Sequence, residues 1–530
     1  MISFRKQTVM SKLYDRLFAV HVALLGLIFF PTLLRAQVDK TMTDRIREEG
    51  LKHSQIPFIA HQLTDVSGPR LTNSPGFQRA SDWVVRTLQE WGLSKVQAEP
   101  WGEFGYGWSA EKTYLAMRSP YYTPLIAYAA PWSGSTNGPV TATAFLLERT
   151  DSAYIAAHAA QMKGRILVAR TPDSLLPSDF KADAERYSDS ALLAIKDTYM
   201  LSPEMLRSFM PYIKQMMKTQ KMILATGALA VLKASSLRDG TVEVQGFIGY
   251  RKQDQPAIPE VVVAKEDYLR VMRLLEEGRE VSLELQSDTR LKKDDLQGHN
   301  VVGEIAGTDP ALKSELVMLG GHLDSWSSGT GATDNGAGCI VAMEAIRILK
   351  TLGVQPKRTI RIALWDGEEQ GLLGSFHYVK NHFGDPADMK LKPEQQKVSA
   401  YYNLDNGSGK IRGIFTQGNE KVAPVFKQWL EPFADLGAGT VTLHSTGSTD
   451  HLSFDAVGIP GFQFVQDPLD YESRTHHTNM DNYDHLLMDD LRQAATILAS
   501  FVYNTAMQAE KLPRKPLPKP EKFLFDDFLP

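Results

Sequence analysis

Apolar residues along the chain fall into three textures. In the first, up to about residue 122, the spacing is helical: Phe77, Ala80, Val84, Leu88 and Trp91 recur at helix-like intervals, and 96–101 then reads as extended. From 123 to 288 the pattern breaks into short β-like runs at 125–128, 165–168 and 242–244, with a Met-rich stretch at 205–222 and a strand, helix and strand over 258–285. From 300 to 507, strand-like runs (316–319, 359–364, 399–404, 412–415, 441–444, 461–465) are interspersed with helical patterns (337–352, 372–382, 423–434, 489–507). That alternation predicts an α/β fold, a sheet flanked by helices, with its chemistry at the strand C-termini where loops converge. The middle block reads as an insertion with its own small core, and no internal repeat is present.

The ends change the picture. Arg5, Lys6, Lys12 and Arg16 precede an apolar run at 17–34 broken only by His21 and Thr32, and Ala36 offers a cleavage point. Residues 1–36 are therefore expected to be a removed export signal, placing the protein in the periplasm or outside the cell with no stable membrane span. The alternative is an uncleaved anchor, since about 18 residues is close to the lower limit for a span. No Cys follows the run, which excludes a lipoprotein. Residues 509–530 are rich in Pro and Lys and read as an extended tail.

The formal charge of −4 becomes −8 once the five bases and one acid of 1–36 are removed, so no basic field points to nucleic acid. The single Cys, Cys339, excludes an intrachain disulfide and a Cys-based zinc knuckle. A metal site would have to use His and carboxylates.

Those residues fall mostly just past predicted strands. After 316–319 comes Gly320-Gly321-His322-Leu323-Asp324; then Asp334-Asn335-Gly336-Ala337-Gly338 opens a helix. Asp366-Gly367-Glu368-Glu369-Gln370-Gly371 follows 359–364, Asp405-Asn406-Gly407 follows 399–404, and Thr475-His476-His477-Thr478-Asn479-Met480-Asp481 lies near the end. Each has a bland reading: a strand-end hydrogen bond, a helix cap, an acidic turn. Joint placement at one sheet edge favours zinc, bound by imidazole nitrogen and carboxylate oxygen. So many carboxylates fit two divalent ions sharing a bridging acid better than one.

With these motifs in that order and spacing, the chain resembles the co-catalytic zinc exopeptidases of the aminopeptidase S/aminopeptidase Y type, most of all their carboxypeptidase Q-like branch. The resemblance covers nearly all of the mature chain. It implies a zinc-peptidase/phosphorylase-like fold: an N-terminal helical part of the catalytic domain at 37–122, an inserted β-rich protease-associated (PA) domain at 123–288 and a di-zinc catalytic domain at 289–508. It also implies two divalent metal ions, zinc foremost, with Asp334 bridging them, His322 and Asp405 completing one site, and Glu369 with His477 the other. Glu368 becomes the general base, and Asp324 holds His322 through its other ring nitrogen. His476 does not match the ligand position and reads as a neighbour. Asp450 and His451, in a stretch that lines the family's active site, are assigned to the pocket wall, and Tyr471 is a candidate donor to the oxyanion.

The function expected is hydrolysis of dipeptides or short peptides by a water bridging two metals. Amino-, carboxy- and dipeptidase modes stay open, because the motifs do not report the pocket that reads the peptide's end, and so does a homodimer. Two alternatives are a single-zinc glutaminyl cyclase on the same fold, against which the Asp334 loop and the insertion both argue, and a non-catalytic binding protein, against which the full ligand set argues.

Overall fold

The apolar run at 316–319 becomes, in the computed structural model, one strand of an eight-stranded sheet. The structure describes residues 38–171, 181–200, 203–246 and 248–523; the export signal expected at 1–36 lies outside them. The strands of this central sheet are β1 (Ser94–Glu103), β2 (Gln297–Ile305), β3 (Leu316–His322), β4 (Thr359–Trp365), β5 (Val398–Asn403), β6 (Ile411–Phe415), β7 (Thr440–Thr442) and β8 (Gly461–Gln466). Their spatial order is β1-β2-β4-β3-β5-β8-β6-β7. The four middle strands, β4, β3, β5 and β8, are mutually parallel, while β1–β2, β2–β4 and β8–β6 pair antiparallel. The sheet is therefore mixed, with a parallel centre whose strands are buried on both faces, hence their nearly unbroken apolar runs.

Helices Ala337–Thr351 and Met488–Met507 pack on β3, the former buried nearly throughout. On another part of the sheet Leu373–His382 and the short His451–Asp455 helix meet β2, β5 and β8, and Tyr378, Val379 and Phe454 join a core with Met318, Trp365 and Tyr401. Helix Pro75–Glu90 is capped by Ser74, whose hydroxyl accepts from the Phe77 amide, and begins with Pro75 and Gly76.

A second eight-stranded sheet is built from the middle of the chain. Its longest pairing joins Gly107–Ser119 to Ser282–Lys292, so this sheet takes in more than the 123–288 expected from the sequence pattern. Parallel strands at Val140–Leu147, Ile166–Ala169, Ala230–Ala234 and Glu260–Val263 continue it. The Met-rich stretch is helical, within Pro203–Ala225, and its last turns pack through Met222, Ile223 and Leu224 against Ile155, Met162 and Val231. The run expected at 242–244 forms no strand of either sheet.

The C-terminal tail has no regular structure up to residue 523 but is fastened down. Leu512 is buried, and the Arg514 guanidinium donates to the carbonyls of Gly458, Gln395 and Val398.

Candidate metal centre and active site

The parallel centre aligns the loops that carry the chemistry. His322 ends β3 opposite Trp365, which ends β4, and the Leu323 amide donates to the Trp365 carbonyl at 2.6 Å. Asp324, Glu368, Glu369 and Asp405 therefore leave neighbouring strand ends within a few residues of each other.

Asp334 sits on an irregular segment, Ala332–Gly336, that precedes helix Ala337–Thr351 and contains a cis Asp334–Asn335 peptide. Asn335 braces it, donating from Nδ2 to Leu404 O (2.9 Å) and accepting the Gly338 amide on Oδ1 (2.9 Å). Gly338 is required there, because a Cβ would lie 2.1 Å from the Leu404 carbonyl oxygen. The Asp481 carboxylate holds the same loop by accepting from the Thr333 amide (2.6 Å), the Thr333 hydroxyl (2.7 Å) and the Asp334 amide (3.2 Å). Burial, followed by the Asp334 charge, raises the Asp481 carboxyl to about 7.

The five predicted ligands are brought together. His322 Nε2 lies 3.2 Å from Asp334 Oδ1 and 3.5 Å from Asp405 Oδ1. His477 Nε2 lies 3.2 Å from Asp334 Oδ2 and 3.0 Å from Glu369 Oε2. Asp334 thus faces both imidazoles, one with each oxygen, and Glu368 Oε2 stands 3.8 Å from His322 Nε2. His476 comes closer than the sequence pattern predicts: its Nε2 is 3.9 Å from Asp334 Oδ2 and its ring centroid 3.8 Å from that of His477. Among the described residues, His322, Asp334 and Asp405 form one group with donor atoms spaced for a single ion, and Asp334, His476 and His477 form another.

Charge tells the same story. Burial alone would lower His322 and His477, yet the surrounding carboxylates push both well above the ordinary imidazole value. Burial would raise Asp334, but the two imidazoles hold it well below the usual carboxylate range. Burial raises Glu369 to about 7 and Glu368 well above its normal range. Asp334 Oδ2, Glu369 Oε1 and Asp405 Oδ1 are buried and accept no well-aligned hydrogen bond. Converging, unsatisfied anionic oxygens beside imidazole nitrogens are a poor protein interior and a good cation site, so the residues present fit divalent metal.

Three other expectations need correction. His322 Nδ1 meets the backbone carbonyl of Asp324 at 2.9 Å, whereas the Asp324 carboxylate is 3.5 Å away. That carboxylate instead accepts the amides of Glu368 (3.2 Å) and Glu369 (3.3 Å), so Asp324 orients the acidic loop as well as the histidine. Asp450 and His451 are both wholly buried and are not on the cavity surface, which is lined by their neighbours Ser448 and Thr449. Packing of the His451–Asp455 helix under β8 turns His451 inward, where its Nε2 meets the Thr446 carbonyl at 3.0 Å. Asp450 is still close enough to raise Glu368, and its own carboxyl is raised by burial to about 8. Tyr471 does line the cavity, its ring 4.9 Å from that of His476.

Residues unmarked in the sequence also build the site. Arg70 is fully buried and donates from Nε to Leu323 O (2.7 Å), from Nη1 to Leu63 O (3.0 Å) and Thr330 O (2.5 Å), and from Nη2 to Gly331 O (2.7 Å). It staples the loop between His322 and Asp334. Thr72 Oγ1 lies 3.0 Å from Asp324 Oδ2. Their local sequence carries no signal for this. The second sheet's block contributes as well. The Val244 amide donates to the His477 carbonyl (2.9 Å), the Asn479 amide to Val242 O (3.1 Å), and the Val242 amide to Asn479 Oδ1 (2.7 Å). Trp326 stands edge-on to His477 at 5.9 Å and to Trp132 at 6.3 Å. A cavity of about 680 Å³ opens between the acidic floor and this block.

Over this geometry, residues 300–502 match peptidase family M28. This stretch is an M28 metallopeptidase domain. Human carboxypeptidase Q is 27% identical to the chain over 452 residues, 85% of each chain. Leupeptin-inactivating enzyme 1 of Streptomyces exfoliatus is 34% identical over 165 residues, 31% of this chain and 34% of that one. Among solved structures, an M28 peptidase precursor of Shewanella amazonensis SB2B superposes with a TM-score of 0.65 at 24% identity, over 90% of this chain and 98% of that one. The zinc aminopeptidase BSAP of Bacillus subtilis does so at 0.55 and 20% identity, over 86% and 96%. The chain shares their fold, and the matched span holds His322, Asp334, Glu368, Glu369, Asp405 and His477.

Proposed function

We propose that this chain is an exported exopeptidase that hydrolyses dipeptides or short peptides. The observation that carries the reading is Asp334, shared between His322 with Asp405 on one side and His477 with Glu369 on the other, with Glu368 alongside. These five residues would hold two zinc ions, and His476 is a further imidazole within reach of the second. When bound, such a pair supplies Lewis acidity to the scissile carbonyl and an activated water.

The chain's own groups do the rest. Glu368 takes the proton of the attacking water and passes it to the departing amine; its burial, which raises the carboxyl, suits a group that must be protonated for part of each cycle. Tyr471, held against His476, donates to the oxyanion. Asp324 fixes the acidic loop, and Arg70 the loop before Asp334. A cavity of about 680 Å³ takes a few residues rather than a folded chain. The second sheet is read as the inserted PA domain. Export rests on the basic and apolar pattern of 1–36, and no helix among the described residues is long and apolar enough to cross a membrane.

The test is hydrolysis of free dipeptides, aminoacyl-anilides and N-blocked peptides with and without chelator, alongside zinc analysis. Chelator-sensitive cleavage with two zinc ions per chain is expected. One tightly held zinc with cyclisation of amino-terminal glutamine would replace this reading by glutaminyl cyclase, and turnover unaffected by chelator would end it.

A further inference from the structure

The wall of the cavity opposite the acidic floor comes from the second sheet's block, and its chemistry differs sharply from that of the floor. Ile213, Met216, Met217 and Gln220, spaced to share one face of the Pro203–Ala225 helix, all line the cavity and are half-buried. Ile248 and Ile258 extend the same wall. The helix is anchored beyond this face by Met222, Ile223 and Leu224 in the block's core, so the apolar face is held over the floor by packing.

Four polar side chains of the wall, Gln220, Lys221, Lys233 and Glu260, already have partners. Glu260 takes Lys233 at 2.6 Å and Gln220 at 3.1 Å, and Lys221 Nζ donates to the Gln253 carbonyl at 3.1 Å. A charged side chain entering here would have to break one of these pairings or stay unpaired, while an aliphatic or aromatic one would cover apolar surface now facing water. Two methionines give that surface the ability to fit side chains of different shape.

We propose that the 213–217 face of the Pro203–Ala225 helix is the specificity wall of the enzyme. It receives a bulky apolar side chain of the peptide whose scissile bond lies on the Asp334–Glu368 floor. This inference rests on the peptidase reading of the floor, and its occupant follows from continuity: wall and floor enclose a single cavity.

The experiment measures kcat/KM of the zinc-loaded full chain on free dipeptides X-Ala and Ala-X, with X as Leu, Phe, Ala, Glu or Lys. The wild type should favour Leu and Phe over Glu and Lys by about tenfold or more in one of the two series. Met216→Gln, a substitution a helix tolerates well, should lower kcat/KM for Leu and Phe about tenfold while Ala-Ala stays within about twofold. Met216→Glu should raise the rate on Lys peptides. An equal loss on every substrate, or no change on any, overturns the proposal. Calorimetric binding of Leu and Phe dipeptides to Glu368→Gln, with and without Met216→Gln, separates the two claims. Met216-dependent binding together with a zinc-loaded wild type that cleaves no peptide would sink the peptidase reading and keep the wall; wild-type cleavage without Met216-dependent binding would do the reverse.

Discussion

Replacing Glu368 by Gln isolates proton transfer from every other property of the site. The side chains have the same shape, and the backbone at this position is held from behind: the Glu368 and Glu369 amides both donate to the Asp324 carboxylate, at 3.2 and 3.3 Å. The loop should therefore keep its course. Glu368 Oε2 is 3.8 Å from His322 Nε2, farther than the 3.2 and 3.5 Å of Asp334 and Asp405, so the amide removes a neighbour of the metal rather than one of its closest holders. What is lost is a base able to accept and return a proton, an effect of about 10²–10⁴-fold. At about 1.4 kcal/mol per decade this raises the barrier by roughly 3–5 kcal/mol. Steady-state kinetics on the best dipeptide should show kcat reduced by that factor with KM little changed, and metal analysis should still find two zinc ions per chain. Turnover within about tenfold of wild type, with metal retained, would show that another group carries the proton.

Three further outcomes test separate links. Asp334→Ala should empty both metal positions, because each of its oxygens faces a different imidazole; one zinc retained at full occupancy would break the bridging assignment. Asn479→Ala should leave the buried Val242 amide without its acceptor, lowering stability by about 1–3 kcal/mol in thermal unfolding. By loosening the His477 loop it should also weaken zinc about tenfold in a chelator competition, and an unchanged affinity would mean that the second sheet's block does not position His477. Asp470 raises His485 through a hydrogen bond, and His485 lowers Asp470 in return. The His485 contribution is complete below its unfolded value of 6.5 and lost as pH rises through the raised folded value. The Asp470 contribution is present above 3.8 and lost as pH falls through its depressed value. His485→Gln should therefore lower stability by about 1 kcal/mol between about pH 4 and 6.5, and by less at pH 8.5. A difference in unfolding temperature independent of pH would refute the linkage.

The α/β body was legible because its four central strands are short, parallel and buried on both faces, which leaves apolar runs that need no partner to be seen. The ligand types were legible for a related reason: in a parallel sheet every functional loop leaves a strand C-terminus, so position in sequence gives position in space. Long antiparallel pairing was not. Gly107–Ser119 alternates poorly between buried and exposed residues, with register shifts at Ala110/Lys112 and Met117/Ser119, and its partner lies more than 160 residues away. Nor could spacing say which atom of Asp324 meets His322, or that the helix at His451 turns that ring away from the cavity. Those depend on backbone course and packing, which residue type does not encode.

Arg70 shows the limit most plainly, and shows what the fold asks of residues outside the motifs. The catalytic loops are rich in buried carboxylates and poor in donors of their own, and the stretch from Leu323 to Gly331 must cross from a strand end to the Asp334 segment without secondary structure. Its carbonyls need donors, and water is largely excluded beneath a floor this buried. One guanidinium supplies them for Leu323, Thr330 and Gly331, while its positive charge faces Asp324, Asp334 and Asp481. Burial works against that charge and lowers the guanidinium's pKa, and the acids offset part of that cost. A lysine could offer a point charge but not donors spread over three carbonyls of one loop. The metal centre therefore depends on a residue some 250 positions upstream of the loop it braces, in a segment that the sequence pattern leaves unmarked.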